Sequence, residues 1–360
     1  MNEAPQMHSY KVTRFGSPLC QAVEPLPVPV GTQVLLKVRA CGVCHSDLHI
    51  LDGYFDLGHG NKMDLTRGIQ LPKTLGHEIV GTVSAVGPDA KGVSIGDARI
   101  VYPWGGCSQC GLCRNGKEHL CMQPRALGTA LDGGFSDYVM VDTPNYLVEF
   151  GDVPEDFAAT LACSGLTSYS ALLKAGPVDA EDPLLIIGAG GVGLAAVGLA
   201  SAVHGIAPIV ADIDPAKREA ALAAGASMAT DPRDPDIRKL LIRQTDGIAS
   251  VIDFVGAGAT AEFGLSVLRK GGKMVMVGLF GGALELPLPT VPLRGISIVG
   301  SYVGSLAELR ELARLAQDGR IAPTPLEIRS MRTAQQTLDD LRNGRISGRA
   351  VLRNDQEKMN

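Results

Sequence analysis

The feature that most constrains this 360-residue chain is the stretch Pro183 to Gly193. There the uncharged apolar run Leu184-Leu185-Ile186-Ile187 meets Gly188, Gly190 and Gly193 in G-x-G-x-x-G spacing. An apolar run without alternation reads as a strand buried on both faces, and the second run, Leu194 to Val203, as a helix packed on it. Gly188 permits a tight turn, Gly190 lets the backbone approach a pyrophosphate, and Gly193 allows close helix–strand contact. With Gly191 and Val192 they form a helix N-terminus that offers free N–H groups and a positive dipole end to phosphate.

The glycine pattern alone also fits a turn in any α/β protein. The next apolar stretch, Ile206 to Ala211, runs into Asp212, 24 residues beyond Gly188. A carboxylate there accepts hydrogen bonds from the adenosine ribose hydroxyls and repels a 2′-phosphate. Because no Arg directly follows it, NAD(H) is expected over NADP(H). Lys217 is either a further ribose contact or a solvated helix lysine. Leu184 to Ala211 holds no Asp, Glu, Lys or Arg, long enough to span a bilayer. Its six glycines, Pro208, the bounding Asp182 and Asp212 and the lack of basic flanks argue against a membrane segment. Met1-Asn2-Glu3-Ala4-Pro5 lacks a charged-then-apolar secretory pattern, so a cytoplasmic protein is expected.

The length suits two domains, and 45% hydrophobic with 20% charged residues supports a large core. A net charge of −5 with no Lys/Arg block argues against nucleic acid as the main partner. Of eight cysteines, four are packed between Cys107 and Cys121, with Cys20, Cys41, Cys44 and Cys163 scattered. Clustering of this kind points to metal rather than to disulfides.

Up to about residue 102 the chain reads as short strands: Val34–Ala40, Ile79–Val86 and Arg99–Tyr102, with turns at Gly87-Pro88-Asp89 and Gly96-Asp97. A mostly antiparallel barrel is expected, with more strand at Gly134–Val141. From Pro154 the texture is helical, through Ala158–Cys163 to Ala171–Leu173. Beyond Asp212, strands at Ser250–Val255, Gly272–Val277 and Ile296–Val299 follow helical stretches Pro215–Ala224 and Ala259–Leu268. Such alternation predicts a doubly wound parallel sheet, a Rossmann arrangement. Leu306–Gln317 and Thr333–Arg342 read as amphipathic helices. Arg349–Leu352 reads as a last strand, in a tail that rejoins the first domain.

Cys107, Cys110, Cys113 and Cys121 are spaced C-x2-C-x2-C-x7-C, amid Gly105, Gly106, Gly111 and Gly116. This suits a closed tetrahedral zinc site of structural role, with a four-cysteine iron–sulfur cluster as the chemical rival. A looser set, Cys44 with Ser46, Asp47 and His49, then His77 and Glu78, then Cys163, offers two thiolates and an imidazole. That is the three-ligand set of a catalytic zinc with one position open.

Gly76-His77-Glu78-x2-Gly81-x5-Gly87 resembles the signature of the zinc-containing medium-chain dehydrogenase/reductase family, the zinc-dependent alcohol dehydrogenases. The four-cysteine lobe and the nucleotide-binding half match as well. The resemblance implies a GroES-like catalytic domain over 1–163 and 304–360, a zinc lobe at about 105–122, and a Rossmann NAD-binding domain over 164–303. It implies two zinc ions per chain, one held by Cys44, His77 and Cys163 and one by Cys107, Cys110, Cys113 and Cys121. It implies that Glu78 can approach the metal, that Asp47 orients His77, and that Ser46 and His49 relay a proton. His45 and Arg349 match residues that meet the pyrophosphate. A homotetramer or homodimer is expected.

The implied activity is hydride transfer between a primary or secondary alcohol, or its carbonyl product, and NAD. Rivals are a polyol or glutathione-linked aldehyde dehydrogenase of the same superfamily, an NAD(H)-binding redox sensor, and a zinc-ribbon interaction protein. One departure stands out: 33 positions separate Cys44 from His77, more than is usual in the family, and the excess falls in 54–68. This insertion either walls the substrate pocket, covers a subunit contact, or is a surface excursion. Tyr54 and Trp104 are candidate pocket aromatics.

Overall fold

The structure, a computed structural model, describes residues 5–176 and 182–354. The reading of residues 1–4 as non-secretory lies outside them. Two sheets dominate. In the first, the strand Val34–Val43 is central: it pairs antiparallel with Glu78–Val86, with Tyr138–Val141 and with the C-terminal strand Arg349–Arg353. The tail therefore rejoins the amino-terminal half, as expected. Ala98–Val101, Leu147–Val148 and Leu326–Ser330 complete this seven-stranded sheet. The inward apolar residues of Val34–Val43 and Glu78–Val86, among them Leu36, Val38, Ile79 and Val80, are almost wholly buried.

The second sheet has six strands, all parallel, in the spatial order Met228–Thr230, Ile209–Ala211, Leu184–Ile187, Ile248–Asp253, Leu268–Met276, Ser297–Gly300. Chain order reverses beside Leu184–Ile187, which makes the crevice at that strand's carboxyl end the natural ligand position of a doubly wound sheet. All four residues of Leu184–Ile187 are buried, as a central strand with helices on both faces requires.

Several elements depart from the sequence reading. The strand expected from Ile206 begins at Ile209, and that expected from Gly134 begins at Tyr138. Leu268, expected to end a helix, opens a strand instead. The strand Met228–Thr230 and the helix Ile237–Thr245 were not foreseen, because three residues are too few to show a period. The insertion after Cys44 folds as a hairpin, Tyr54–Gly58 paired with Asn61–Asp64. No helix among the described residues is long and apolar enough to cross a membrane.

Candidate active site and metal centres

Three separate segments end at one point. Cys44 follows the central strand and caps the helix His45–Asp52. His77 leads into Glu78–Val86, and the register pairs Glu78 with Gly42 and Ala350 with Val43, so Glu78 and Arg349 reach the end of the same strand. Cys163 lies in a π-helical turn, Leu161–Gly165, between the helices Glu155–Thr160 and Leu166–Ala175. Such turns recur at functional positions because they re-aim one side chain. One ligand atom from each of Cys44, His77, Glu78 and Cys163 lies within 4.8 Å of the others, and all four residues are buried.

Asp47 organises this cluster. Its Oδ2 accepts the Cys44 N–H at 2.9 Å, its Oδ1 the Gly76 N–H at 3.1 Å, and Oδ1 lies 3.3 Å from His77 Nδ1. That contact assigns the proton to Nδ1 and leaves Nε2 free as a ligand. His77 Nε2 and Glu78 Oε2 are buried without hydrogen-bond partners. Contact with Cys163 and the nearby imidazole hold the Cys44 pKa well below the ordinary thiol range despite burial, while the same contact and burial push Cys163 up. Burial lowers the basicity of His77, but the Asp47 carboxylate and the Cys44 sulfur together outweigh it and raise the pKa overall. Two thiols, an orphaned imidazole nitrogen and an orphaned carboxylate oxygen around one point fit a divalent zinc and leave a buried debt without one.

The second cluster is Cys107, Cys110, Cys113 and Cys121, whose sulfurs also lie within 4.8 Å of one another. Individual Sγ···Sγ distances of 3.5, 3.8 and 4.0 Å bracket the edge of about 3.8 Å that a tetrahedral zinc–thiolate site would have. Gly106 is required here, since a Cβ would lie 2.6 Å from the Cys113 sulfur.

Between the two sheets, the glycine loop has the geometry its spacing implies. Gly188 has φ +91°, and a side chain on Gly193 would run into the Gly188 carbonyl oxygen. A Cβ on Gly190 would meet open space, which is the room a pyrophosphate needs. Gly191 is covered by the Arg349 side chain, whose Nη2 pairs with Glu78 while its Nε is buried and unpartnered. The Val192 carbonyl accepts from Ser168 Oγ at 2.7 Å. Asp212 Oδ2 accepts from Ala189 N at 2.8 Å and Oδ1 from Asp214 N at 2.9 Å, fixing the carboxylate at the loop with lone pairs to spare. Lys217 stands exposed on the helix Pro215–Ala223, and His45 is also exposed.

Ser46 and His49 lie three positions apart on one helix, within reach of a common face. Burial lowers the His49 pKa; the Cys44 and Asp52 charges oppose this and Arg342 adds to it. Trp104 lies against this cluster: its ring is 5.2 Å from that of His77, and its Nε1 donates to the Ala162 carbonyl at 3.1 Å. Tyr302, not foreseen, packs on Trp104 at 5.9 Å. Thr167 was also missed; it lies one turn beyond Cys163, buried, with an unpartnered Oγ1. Only its i+4 spacing from Cys163 could have pointed to it. Tyr54 sits on the hairpin under Lys62 Nζ, 3.6 Å from the ring centroid, in no ring contact with His77 or Trp104. Its neighbour Phe55 packs on His49 at 4.7 Å instead.

The fold and the two cysteine-bearing clusters define a dehydrogenase with a nucleotide-binding half and a metal-binding half. Residues 31–152 match the alcohol dehydrogenase GroES-like domain family, and 191–318 the zinc-binding dehydrogenase family. The chain is 39% identical over 350 residues to an NAD-dependent alcohol dehydrogenase of Sulfurisphaera tokodaii, covering 96% of this chain and 99% of that one. It is 30% identical over 345 residues to a D-arabinose 1-dehydrogenase (NADP(+)) of Saccharolobus solfataricus, covering 94% and 95%. The crystal structure of the Aeropyrum pernix alcohol dehydrogenase superposes with a TM-score of 0.86 at 29% identity, covering 96% and 99%. The chain belongs to the zinc-containing medium-chain dehydrogenase/reductase family.

Proposed function

We infer that this chain is an NAD-dependent zinc alcohol dehydrogenase that interconverts a primary or secondary alcohol and its carbonyl compound. The observation that carries the reading is the convergence of Cys44, His77 and Cys163 on one buried point with His77 Nε2 unpartnered, beside a glycine loop touched by Arg349. Similarity to NAD-dependent alcohol dehydrogenases over almost the whole chain supports it.

Cys44, His77 and Cys163 would hold the catalytic zinc, and Cys107, Cys110, Cys113 and Cys121 a structural one. The catalytic metal, when bound, supplies Lewis acidity that makes an alcohol proton easier to lose. The rest falls to the chain. Asp47 holds His77 in place, and Glu78, paired with Arg349, would be close enough to approach a bound metal. Ser46 would accept the alcohol proton and pass it toward His49, whose pKa is lowered by burial. Gly188, Gly190, Gly191, Val192 and Gly193 receive the pyrophosphate, with Arg349 Nε and His45 as donors and Asp212 as acceptor for the ribose hydroxyls. Lys217, exposed on the first helix after Asp212, would add a ribose contact. Thr167, one turn from Cys163 and next to the serine that binds the Val192 carbonyl, has a buried, unpartnered Oγ1 that would be available to a bound ligand. Trp104 and Tyr302 wall the substrate space beside His77.

Domain limits at 1–163 with 304–360 and at 164–303 belong to the same reading, supported by strands up to Leu147–Val148 and from Leu326 lying outside the parallel sheet that Leu184–Ile187 to Ser297–Gly300 form. Assembly as a homodimer or homotetramer is supported by exposed Leu288 and Leu293 near the open edge strand Ser297–Gly300. A cytoplasmic location is part of the same reading. The test is a panel of primary, secondary and aromatic alcohols with NAD, followed by NADH absorbance. Turnover of at least one class is expected, and no turnover of any of them by zinc-loaded protein would overturn the reading.

A further inference from the structure

The parallel register that sets Ala211 beside Thr230 makes the next residues, Asp212 and Asp231, neighbours at the ends of adjacent strands. Around them lie two arginines that the function described above does not use. Arg218 Nη1 donates to the Asp212 backbone carbonyl at 2.8 Å and lies 3.4 Å from Asp231 Oδ2. Arg233 binds Asp231 with two nitrogens, Nε to Oδ1 at 3.0 Å and Nη2 to Oδ2 at 2.7 Å, and also donates to the Ile213 carbonyl at 3.0 Å. Both guanidinium groups thus lie along the backbone of Asp212-Ile213, where a carboxylate aimed at the adenosine ribose begins. Arginine is the side chain that takes a phosphate dianion with two parallel hydrogen bonds, so this chain carries the parts of a 2′-phosphate site beside a carboxylate that would repel one.

We propose that coenzyme choice rests on two carboxylates, with Asp212 occupying the ribose position and Asp231 holding Arg218 and Arg233 in ion pairs that keep them from a 2′-phosphate. Asp231 is a specificity-determining positioning residue that acts through the arginines. It directly follows the strand Met228–Thr230. The proposal rests on the reading of Asp212 as ribose acceptor. It adds that removing Asp212 alone leaves both arginines committed to Asp231, so NADPH gains little. Asp214 and Lys217 stay in place in every variant and cancel from the comparison.

The test is fluorescence titration of NADH and of NADPH onto the zinc-loaded protein and its Asp212→Ala, Asp231→Asn and doubly substituted variants. Asn keeps a side-chain oxygen for the Arg233 N–H that Asp231 Oδ1 now accepts at 3.0 Å; Asp231→Ser is the second choice if that variant does not fold. Asp212→Ala is expected to weaken NADH and admit NADPH only poorly, and Asp231→Asn alone to keep NADPH excluded. The double variant should bind NADPH at least about tenfold tighter than Asp212→Ala, the worth of one freed charge-assisted contact, with a steeper salt dependence. Adding Arg233→Ala should remove the gain. A double variant that binds NADPH no tighter than Asp212→Ala overturns the role of Asp231. If Asp212→Ala alone leaves the NADH-over-NADPH preference unchanged, the ribose reading fails and the proposal falls with it, a failure visible in the single variant.

Discussion

The Asp47 carboxylate serves Cys44 N–H, Gly76 N–H and the His77 imidazole at once, with no exposed surface of its own. Asp47→Ala leaves those groups buried and unsatisfied, which costs on the order of 3 kcal/mol in stability; a calorimetric melt of the two proteins measures it. Cys44→Ser should abolish alcohol oxidation while NADH binding, read by fluorescence, stays within about threefold of the parent, because the glycine loop is untouched. His49 accepts a proton only when neutral, and burial lowers its pKa, so oxidation holds as pH falls through the range of a free imidazole and is lost only at more acidic pH. His49→Gln should cut kcat about 10²-fold and flatten that acid limb; a kcat–pH profile with the limb intact would contradict the relay. At this scale the sequence was informative where residue types are chemically scarce. Cysteines and a histidine with ligand spacing declare themselves, as does the carboxylate after an apolar strand. Thr167 and Tyr302 were invisible because threonine and tyrosine are common, and only the fold sets them beside Cys163 and Trp104.

At the scale of elements, the insertion after Cys44 shows what spacing alone leaves open. Its position was plain from the 33-residue gap, but not its form or its target. It folds as the hairpin Tyr54–Gly58 with Asn61–Asp64 and reaches across to the nucleotide-binding half: the Gly282 N–H meets the Asp56 carbonyl at 3.4 Å. The approach is backbone on backbone, since a Cβ on Gly58 would sit 2.7 Å from Ala283 N and one on Gly281 2.7 Å from the Asp56 carbonyl oxygen. Phe55 meanwhile packs on His49. Replacing Asp56–Lys62 by a two-glycine turn should therefore speed NADH release, read by stopped-flow fluorescence, by at least about threefold. An unchanged release rate would make the hairpin a surface feature. The long buried strands and the amphipathic helix Leu306–Gln317 were legible because their apolar periods are strong. The three-residue strand Met228–Thr230 was not, since its placement depends on pairing with Ile209–Ala211.

Across the whole molecule, the two chain ends build one half and the middle builds the other, so the site lies where they meet. The parallel sheet brings the glycine loop to its switch point, and the C-terminal strand brings Arg349 back 271 positions to Glu78. No local pattern could have announced that last contact. The two candidate metal clusters are built from separate residues, one from four thiols and the other from Cys44, His77, Glu78 and Cys163 with His77 Nε2 unpartnered. Metal content of purified protein, measured by plasma mass spectrometry on the parent chain and on Cys44→Ser, tests this most directly. Two zinc ions in the parent and one in the variant are expected; one zinc in the fully loaded parent, or two retained in Cys44→Ser, would contradict it.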